Sequence, residues 1–302
     1  MRKSVLIIDD VKVQAEGLQK ALSSKIKDVQ FDYLFEEKSI MPYIENRFFS
    51  LAIVDIRMDG FQFDGLDIVK KIFEVNPFAK VIIVSAFKDE YFLKIKDVLL
   101  SGRVVDILDK EDYDIWIPKI EALIEGYFKK LDESTSEIGN ALLQFYADTL
   151  NEKDAYKKGE RFEHFISLLF QSMGFREILK RVKDKSLNEV DLILRNDIDD
   201  TFINKFGKYI LIECKNKPDS KVDKNDFIVF YTKLKNTNGL AELGVLVTSN
   251  AIARNTYIEA VRTSSGPQKV VFISSEEIKR LIYSNNRLDE FKSIIDEQVK
   301  DN

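Results

Sequence analysis

The sequence predicts an α/β protein made of a doubly wound parallel sheet, a helical connector and a second α/β domain. Three observations carry this reading. The chain has 302 residues, room for about two domains of ordinary size. In its first part, short and uniformly apolar runs alternate with amphipathic segments, the pattern of parallel strands covered on both faces. After the polar stretch LDESTSEIGN, Leu131 to Asn140, the pattern changes to amphipathic helix followed by strands. The expected divisions are 1–132, a connector over 133–154, and 155–302.

The elements of the first part follow in order. SVLIIDD reads as a strand, Val11 to Lys25 as a helix, VQFDYLF as a strand and Ser39 to Asn46 as a helix. Then come strand LAIVDI, helix GLDIVKKIFEV, strand KVIIVSAF, a helix near Glu90 to Leu100, strand VVDILDK and helix DIWIPKIEALIEGYFKKL. Five strands thus alternate with five helices. Ligands of such sheets bind at the carboxyl ends of the strands, which here carry Asp9, Asp10, Asp55, Ser85 and Lys110.

Composition removes several function classes. Hydrophobic residues make up 45% and charged residues 32%, enough for packed cores under a charged surface. No apolar run reaches the ~18 residues of a membrane span, and MRKSVLIIDD does not read as a secretory leader, so a cytoplasmic protein without a membrane partner is expected. One cysteine, Cys214, and one histidine, His164, exclude an internal disulfide, a Cys/His zinc site and any two-histidine mechanism. Chemistry therefore falls to Asp, Glu, Lys and Ser. The net charge of −5 is uneven: residues 1–154 carry 21 basic and 29 acidic side chains (−8), residues 155–302 carry 25 and 22 (+3). The second part is the better partner for a polyanion, although +3 is far from the charge of a dedicated nucleic-acid binder.

Three carboxylates brought together at strand ends repel one another and call for a hard divalent cation, for which Mg²⁺ is suited. A lysine and a hydroxyl across the same pocket suit a phosphoryl group. With these five residues in register, the first part resembles the receiver domain of bacterial response regulators, a flavodoxin-like fold. The resemblance implies that Asp55 is the phospho-acceptor, that Asp9 and Asp10 help hold Mg²⁺, and that Ser85 and Lys110 contact the phosphoryl oxygens. It also implies a sensor histidine kinase or other phosphodonor. The sequence departs from the family pattern in three places: Met58 is followed by Asp59 within the loop RMDGFQFDG, Lys110 is followed by Glu111, and Ile107 stands where many members have a switching aromatic. These departures bear on how a signal leaves the pocket rather than on the phosphoryl chemistry.

Past the last helix of that part, Ile124, Leu131, Ile138 and Phe145 recur seven apart. That spacing suits a helical connector or dimer seam, with packing of each helix on its own domain as the alternative.

The second part opens with KKGERFEHFISLLFQSMGF, an amphipathic helix whose inner side carries Phe162, Phe165, Ile166, Leu169 and Phe170, stopped at Gly174. Strand EVDLIL, the polar excursion RNDIDDTFINKFG (read as a hairpin tip) and strand KYILIECKN follow. In that last strand Glu213 and Lys215 alternate to one side and Cys214 to the other, where it serves as a small core residue. Two neighbouring strands so deliver Asp191 on one side and Glu213 with Lys215 on the other. Two carboxylates sharing a hard cation beside an ammonium suit phosphodiester hydrolysis.

The arrangement resembles the PD-(D/E)xK nuclease superfamily, a restriction-endonuclease-like fold, and within it the Mrr-like branch. GERFEHF, EVDLIL, IECKN and ELGVLVTSNAIARNTYIEA carry the resemblance in order. It implies that Asp191 and Glu213 bind Mg²⁺, for which Mn²⁺ is an acceptable substitute, that Lys215 is catalytic, and that Glu163 assists through water or a second metal. Glu189, on the same strand face as Asp191, reads as a surface charge or a further ligand; Lys233, Lys235, Arg254 and Arg262 read by default as charges on solvated faces, with contacts to DNA phosphates as the alternative. Together the resemblances imply a phosphorylation-regulated, Mg²⁺-dependent DNA endonuclease acting as a homodimer. The alternatives are a response regulator with a non-cleaving nucleic-acid-binding domain, and an RNA-directed nuclease.

Overall fold

Uninterrupted apolar runs have only one way to remove both of their faces from water, which is to lie inside a sheet covered on both sides. A computed structural model of the chain, describing residues 3–86, 92–133, 135–183 and 189–300, shows the first part solving the problem so. Strands β1 (Ser4–Ile8), β2 (Gln30–Leu34), β3 (Leu51–Asp55), β4 (Lys80–Ser85) and β5 (Val104–Asp109) pair in the order β2-β1-β3-β4-β5, all parallel. Between them run α1 (Lys12–Lys25), α2 (Glu37–Asn46), α3 (Gly65–Val75) and α4 (Phe92–Leu99), with α5 (Tyr113–Glu133) last. The start of the helix expected near Glu90 lies outside the described residues.

Strand alternation divides the core in two. Leu6 and Ile8 face α2, α3 and α4 through Ile40, Leu66, Ile72 and Val98. Val5 and Ile7 face α1 and α5 through Leu18, Leu22, Trp116 and Ile120. Each such side chain contributes about 1.5–3 kcal/mol relative to exposure. The strand order reverses between β1 and β3, and that switch point leaves a crevice at the strands' carboxyl ends.

The chain divides into two units, Met1–Thr135 and Ser136–Asn302. Helix α6 (Thr135–Asn151) directly follows α5 in sequence, yet the seven-residue spacing is consumed separately on each side of the division. Ile124 and Leu131 pack in the core of the first unit. Ile138 is buried, and the ring of Phe145 lies 5.4 Å from that of His164 in the second.

The second unit continues with α7 (Ala155–Ser172), β6 (Ile178–Lys183), β7 (Glu189–Arg195), β8 (Tyr209–Lys215), α8 (Lys224–Lys235), β9 (Ala241–Thr248), α9 (Arg254–Thr263), β10 (Lys269–Ile273), α10 (Ser275–Tyr283) and α11 (Arg287–Lys300). Its sheet has the order β10-β9-β8-β7-β6, antiparallel from β6 to β8 and parallel from β8 to β10. All five apolar residues on the inner side of α7 are buried, and Gly174, at φ +111°, ends that helix. Phe170 meets Phe291 of α11 edge-on at 5.2 Å.

Helix α8 starts at a capping box formed by Asp223 and Asp226 and buries Phe227, Phe230 and Leu234. It lies so close to β9 that a Cβ on Gly244 would come within 2.9 Å of Phe230 and Leu234. The excursion after β7 is not an open hairpin tip. Asn196 Nδ2 donates to the carbonyls of Ile203 and Gly207 at 2.9 Å each, drawing the segment over a short 3-10 turn, Ile203–Phe206, with Ile203 buried. Among the described residues no helix is long and apolar enough to cross a membrane.

Candidate functional sites

At the carboxyl edge of the first sheet, Asp9 and Asp10 follow β1, Asp55 ends β3, Ser85 ends β4 and Lys110 follows β5. One oxygen from each of Asp9, Asp10 and Asp55 lies within 4.8 Å of the others. Lys110 Nζ donates to Asp55 Oδ2 at 2.6 Å, Asp9 Oδ2 at 2.7 Å and Gln14 Oε1 at 2.7 Å, and its backbone N–H donates to the carbonyl of Ser85. Burial pushes the Asp55 carboxyl above its ordinary range, with the Lys110 ammonium pulling the other way. Burial also opposes the charge of Lys110, but Asp55 and Asp9 outweigh it and hold the ammonium above its usual value. The three carboxylate oxygens offered by Asp9, Asp10 and Asp55 suit a hard divalent cation.

The loop after Asp55 is tied to the same pocket. The Asp59 N–H donates to Asp10 Oδ2 at 2.8 Å, and Arg57 Nε donates to Asp59 Oδ1 at 2.7 Å. Phe61 and Phe63, the added bulk of RMDGFQFDG, form an edge-on pair with 5.8 Å between centroids and pack against the core. Gly65 opens α3 under an absolute constraint: a Cβ there would fall 1.9 Å from the Asp55 carbonyl oxygen. Ile107 packs, partly buried, against the cluster beneath α3 and α4.

The second site forms where β7 and β8 part company. Their ladder runs from Arg195 opposite Tyr209 to Leu192 opposite Ile212 and goes no further. Beyond that point the Asp191 side chain takes over: its Oδ2 accepts from the Cys214 N–H at 2.7 Å. Glu213 and Lys215 project into the same fork, with Lys215 Nζ 2.9 Å from Glu213 Oε1. Burial pushes Asp191 up to about 6, reinforced by the Glu213 charge. For Lys215, burial again works against the charge, and Glu213 more than restores it. Burial pushes the Cys214 thiol up, although the residue is only half-buried and stands at the margin of the core rather than inside it, because β8 emerges from cover at its carboxyl end.

Glu163 of α7 takes another partner. Arg181 Nε donates to its Oε2 at 2.9 Å, while Arg181 also reaches Glu160 and the Tyr156 hydroxyl. Arg181 lies opposite Asp191 across β6 and β7, at the one step missing from that ladder, and has φ +52°. Burial raises the Glu163 carboxyl, opposed by Arg181. Among the described residues, Asp191, Glu213 and Glu163 do not reach the mutual spacing shared by Asp9, Asp10 and Asp55.

Residues 5–116 match the family of response regulator receiver domains, and residues 156–282 match the Mrr_cat family, described as a restriction endonuclease. The chain joins a response regulator receiver domain to an Mrr-type restriction endonuclease domain. A curated relative, the transcriptional regulatory protein ComA of Bacillus subtilis, is 28% identical over 137 residues, which are 43% of this chain. The chain spans 63% of the length of that relative. Among solved structures, a CheY-like response regulator receiver domain protein from Methanospirillum hungatei is 21% identical, covering 43% of this chain and 99% of its own at a TM-score of 0.36. A Francisella response regulator receiver domain is 25% identical, covering 41% and 98% at a TM-score of 0.34.

Two polar partners in these domains escape a reading of the sequence. In the receiver domain, Gln14 reaches Lys110 from the first turn of α1; its place four residues after Asp10, one helical turn on, was the available signal. In the Mrr-type domain, Lys233 does not lie out among DNA phosphates. Its Nζ donates to Glu213 Oε2 at 2.9 Å, Glu213 Oε1 at 3.1 Å and the Glu189 carbonyl at 2.7 Å. Its position beside Phe230 and Leu234, on the margin of the buried face of α8, was the sign of that.

Proposed function

We propose that the chain is a phosphorylation-regulated, divalent-metal-dependent DNA endonuclease, with Mg²⁺ as the ion. The observation that carries this reading is the fork between β7 and β8, where Asp191, Glu213 and Lys215 meet in a domain of restriction-endonuclease type. Asp191 and Glu213 would hold the ion, which when bound polarises the phosphoryl oxygen and acidifies water. Lys215, whose Nζ lies 2.9 Å from Glu213 Oε1, would orient the attacking water or donate to charge developing on the phosphate. The Cys214 N–H fixes Asp191 in place. Glu163, held by Arg181, orients that cation at the rim of the fork. In the receiver domain Asp55 would accept the phosphoryl group, with Lys110 and Ser85 meeting its oxygens and Asp9 and Asp10 holding Mg²⁺.

Cleavage of both strands requires two such sites, which a homodimer supplies. Phosphorylation of Asp55 would shift the pocket loops, and with them how two copies pair. Plasmid and RNA incubated with the full chain in Mg²⁺, in Mn²⁺ and in chelator test the activity. DNA cleavage should require the ion and vanish in Lys215→Ala with DNA affinity retained; cutting in chelator, or by Lys215→Ala at the parental rate, overturns the assignment. Sedimentation and cutting measured with and without beryllofluoride test the control: identical assembly and identical rates in both states rule it out.

One observation favours a second reading, a nucleic-acid-binding domain that does not cut. Both oxygens of Glu213 already have ammonium partners. In that case Mg²⁺ changes neither plasmid integrity nor DNA affinity.

A further inference from the structure

Glu213 is a buried carboxylate, 4% exposed, and it faces two ammonium groups. Lys215 approaches along the same strand, as its sequence position dictates. Lys233 arrives independently, from the last turn of α8, with its side chain 16% exposed. An ammonium has three donors. Those of Lys233 are matched by three acceptors, both Glu213 oxygens and the Glu189 carbonyl. Lys233 so grips the carboxylate by both oxygens, in the manner of a chelated cation, and no donor is left for a phosphate.

Building on the proposed nuclease reading, we infer that Lys233 is a positioning residue that occupies the place of a cation on Glu213 and sets how tightly the site takes a divalent ion. Without the ion, a buried carboxylate lacking enough positive charge is strongly destabilising, and Lys233 supplies that charge. A dication bound to the same two oxygens would lie within a few ångström of the Lys233 ammonium. Like charges at that range repel strongly even when partly screened. Ion binding therefore requires Lys233 to withdraw, and its flexible four-carbon stem permits this while the Glu189 carbonyl stays within reach. Ion entry and the release of Lys233 are one event. The site resists ions at low concentration and remains folded without them.

The test uses the full chain carrying Asp10→Asn, which weakens the acidic cluster of the receiver domain, and Mn²⁺ as the probe. Calorimetric titration and the ion-induced rise in melting temperature are read for the parent, Lys233→Met, Lys233→Arg and Asp191→Asn. Lys233→Met should bind Mn²⁺ on the order of tenfold more tightly, as expected from removing one like charge at close range. It should also melt lower without the ion and gain more from it. Lys233→Arg, which retains the charge, should behave as the parent. If Lys233→Met does not fold, Lys233→Gln keeps a hydrogen-bonding head without the charge and should likewise tighten Mn²⁺ binding. Unchanged or weaker Mn²⁺ affinity in the neutral variants overturns the inference about Lys233. Mn²⁺ binding undiminished by Asp191→Asn overturns the metal reading of the fork itself, and the two failures are separate readouts.

Discussion

Asp191→Asn should stabilise the ion-free protein, even though it removes a carboxylate proposed to hold the ion. Burial raises this carboxyl from its ordinary 3.8 to about 6, so the folded chain holds a proton that the unfolded chain releases. Between those two values the native state binds more protons than the unfolded state, and stability falls as pH rises through the window. Above about 6 the full cost of the buried charge is present: a difference of about 2.2 at ~1.36 kcal/mol each is about 3 kcal/mol. Asparagine carries no charge and retains an oxygen for the Cys214 N–H, so the substitution removes that cost and keeps the contact. The assay is thermal and urea unfolding in chelator at pH 8 and below pH 4. The single tryptophan, Trp116, lies in the first unit and reports that unit's unfolding; the remaining far-UV transition belongs to the second. A gain of about 3 kcal/mol, or ~6–12 °C in Tm, is expected at pH 8, with little or none below pH 4. An asparagine variant no more stable than the parent at pH 8, or equally stabilised at both pH values, would refute the reasoning.

Gly65→Ala places a methyl group against the Asp55 carbonyl and the Ile56 Cα; backbone atoms yield little, so a loss of about 3 kcal/mol or more is expected in the Trp116 transition. Lys110→Met leaves Asp9 and Asp55 facing each other without their shared cation. The first unit should lose about 3 kcal/mol at pH 8 and recover much of it on addition of Mg²⁺, read by the same fluorescence. Asp55→Asn should abolish the alkali-labile acyl-phosphate label from a small phosphodonor, checked by intact mass; such label persisting on the variant would place the acceptor elsewhere.

The first unit was legible because its signals are redundant. The three central strands β1, β3 and β4 are nearly continuous apolar runs, the edge strands β2 and β5 are interrupted by Asp32 and Asp106, and the polar residues at the strand ends fall at one edge once the strands are parallel. The second unit was legible in part. EVDLIL and YILIECK announce themselves by apolar content, but β6, with the sequence ILKRVK, does not: an edge strand needs only one buried face, and its alternation is broken at Arg181. Lys233 was misplaced for a related reason. A lysine on a helix reads as solvated unless its neighbours on the wheel are known to be buried, and its target carboxylate lies 20 residues away in sequence. Glu163 was visible as a carboxylate, while its engagement by Arg181 depends on a backbone turn that no periodicity encodes.

That turn has a bearing on how the protein survives at high concentration. Among the described residues strand β6 pairs with β7 alone, so its other side is the outer rim of the sheet, and a rim strand is a template on which further chains can add. A left-handed residue cannot continue a straight row of amides and carbonyls. Arg181 so dislocates the rim at its middle, and the charged Lys180 stands next to it. The backbone twist that aims a guanidinium at Glu163 also makes the rim a poor surface for sheet extension. A variant straightened at this position, such as Arg181→Val, would be expected to give up solubility together with its hold on Glu163.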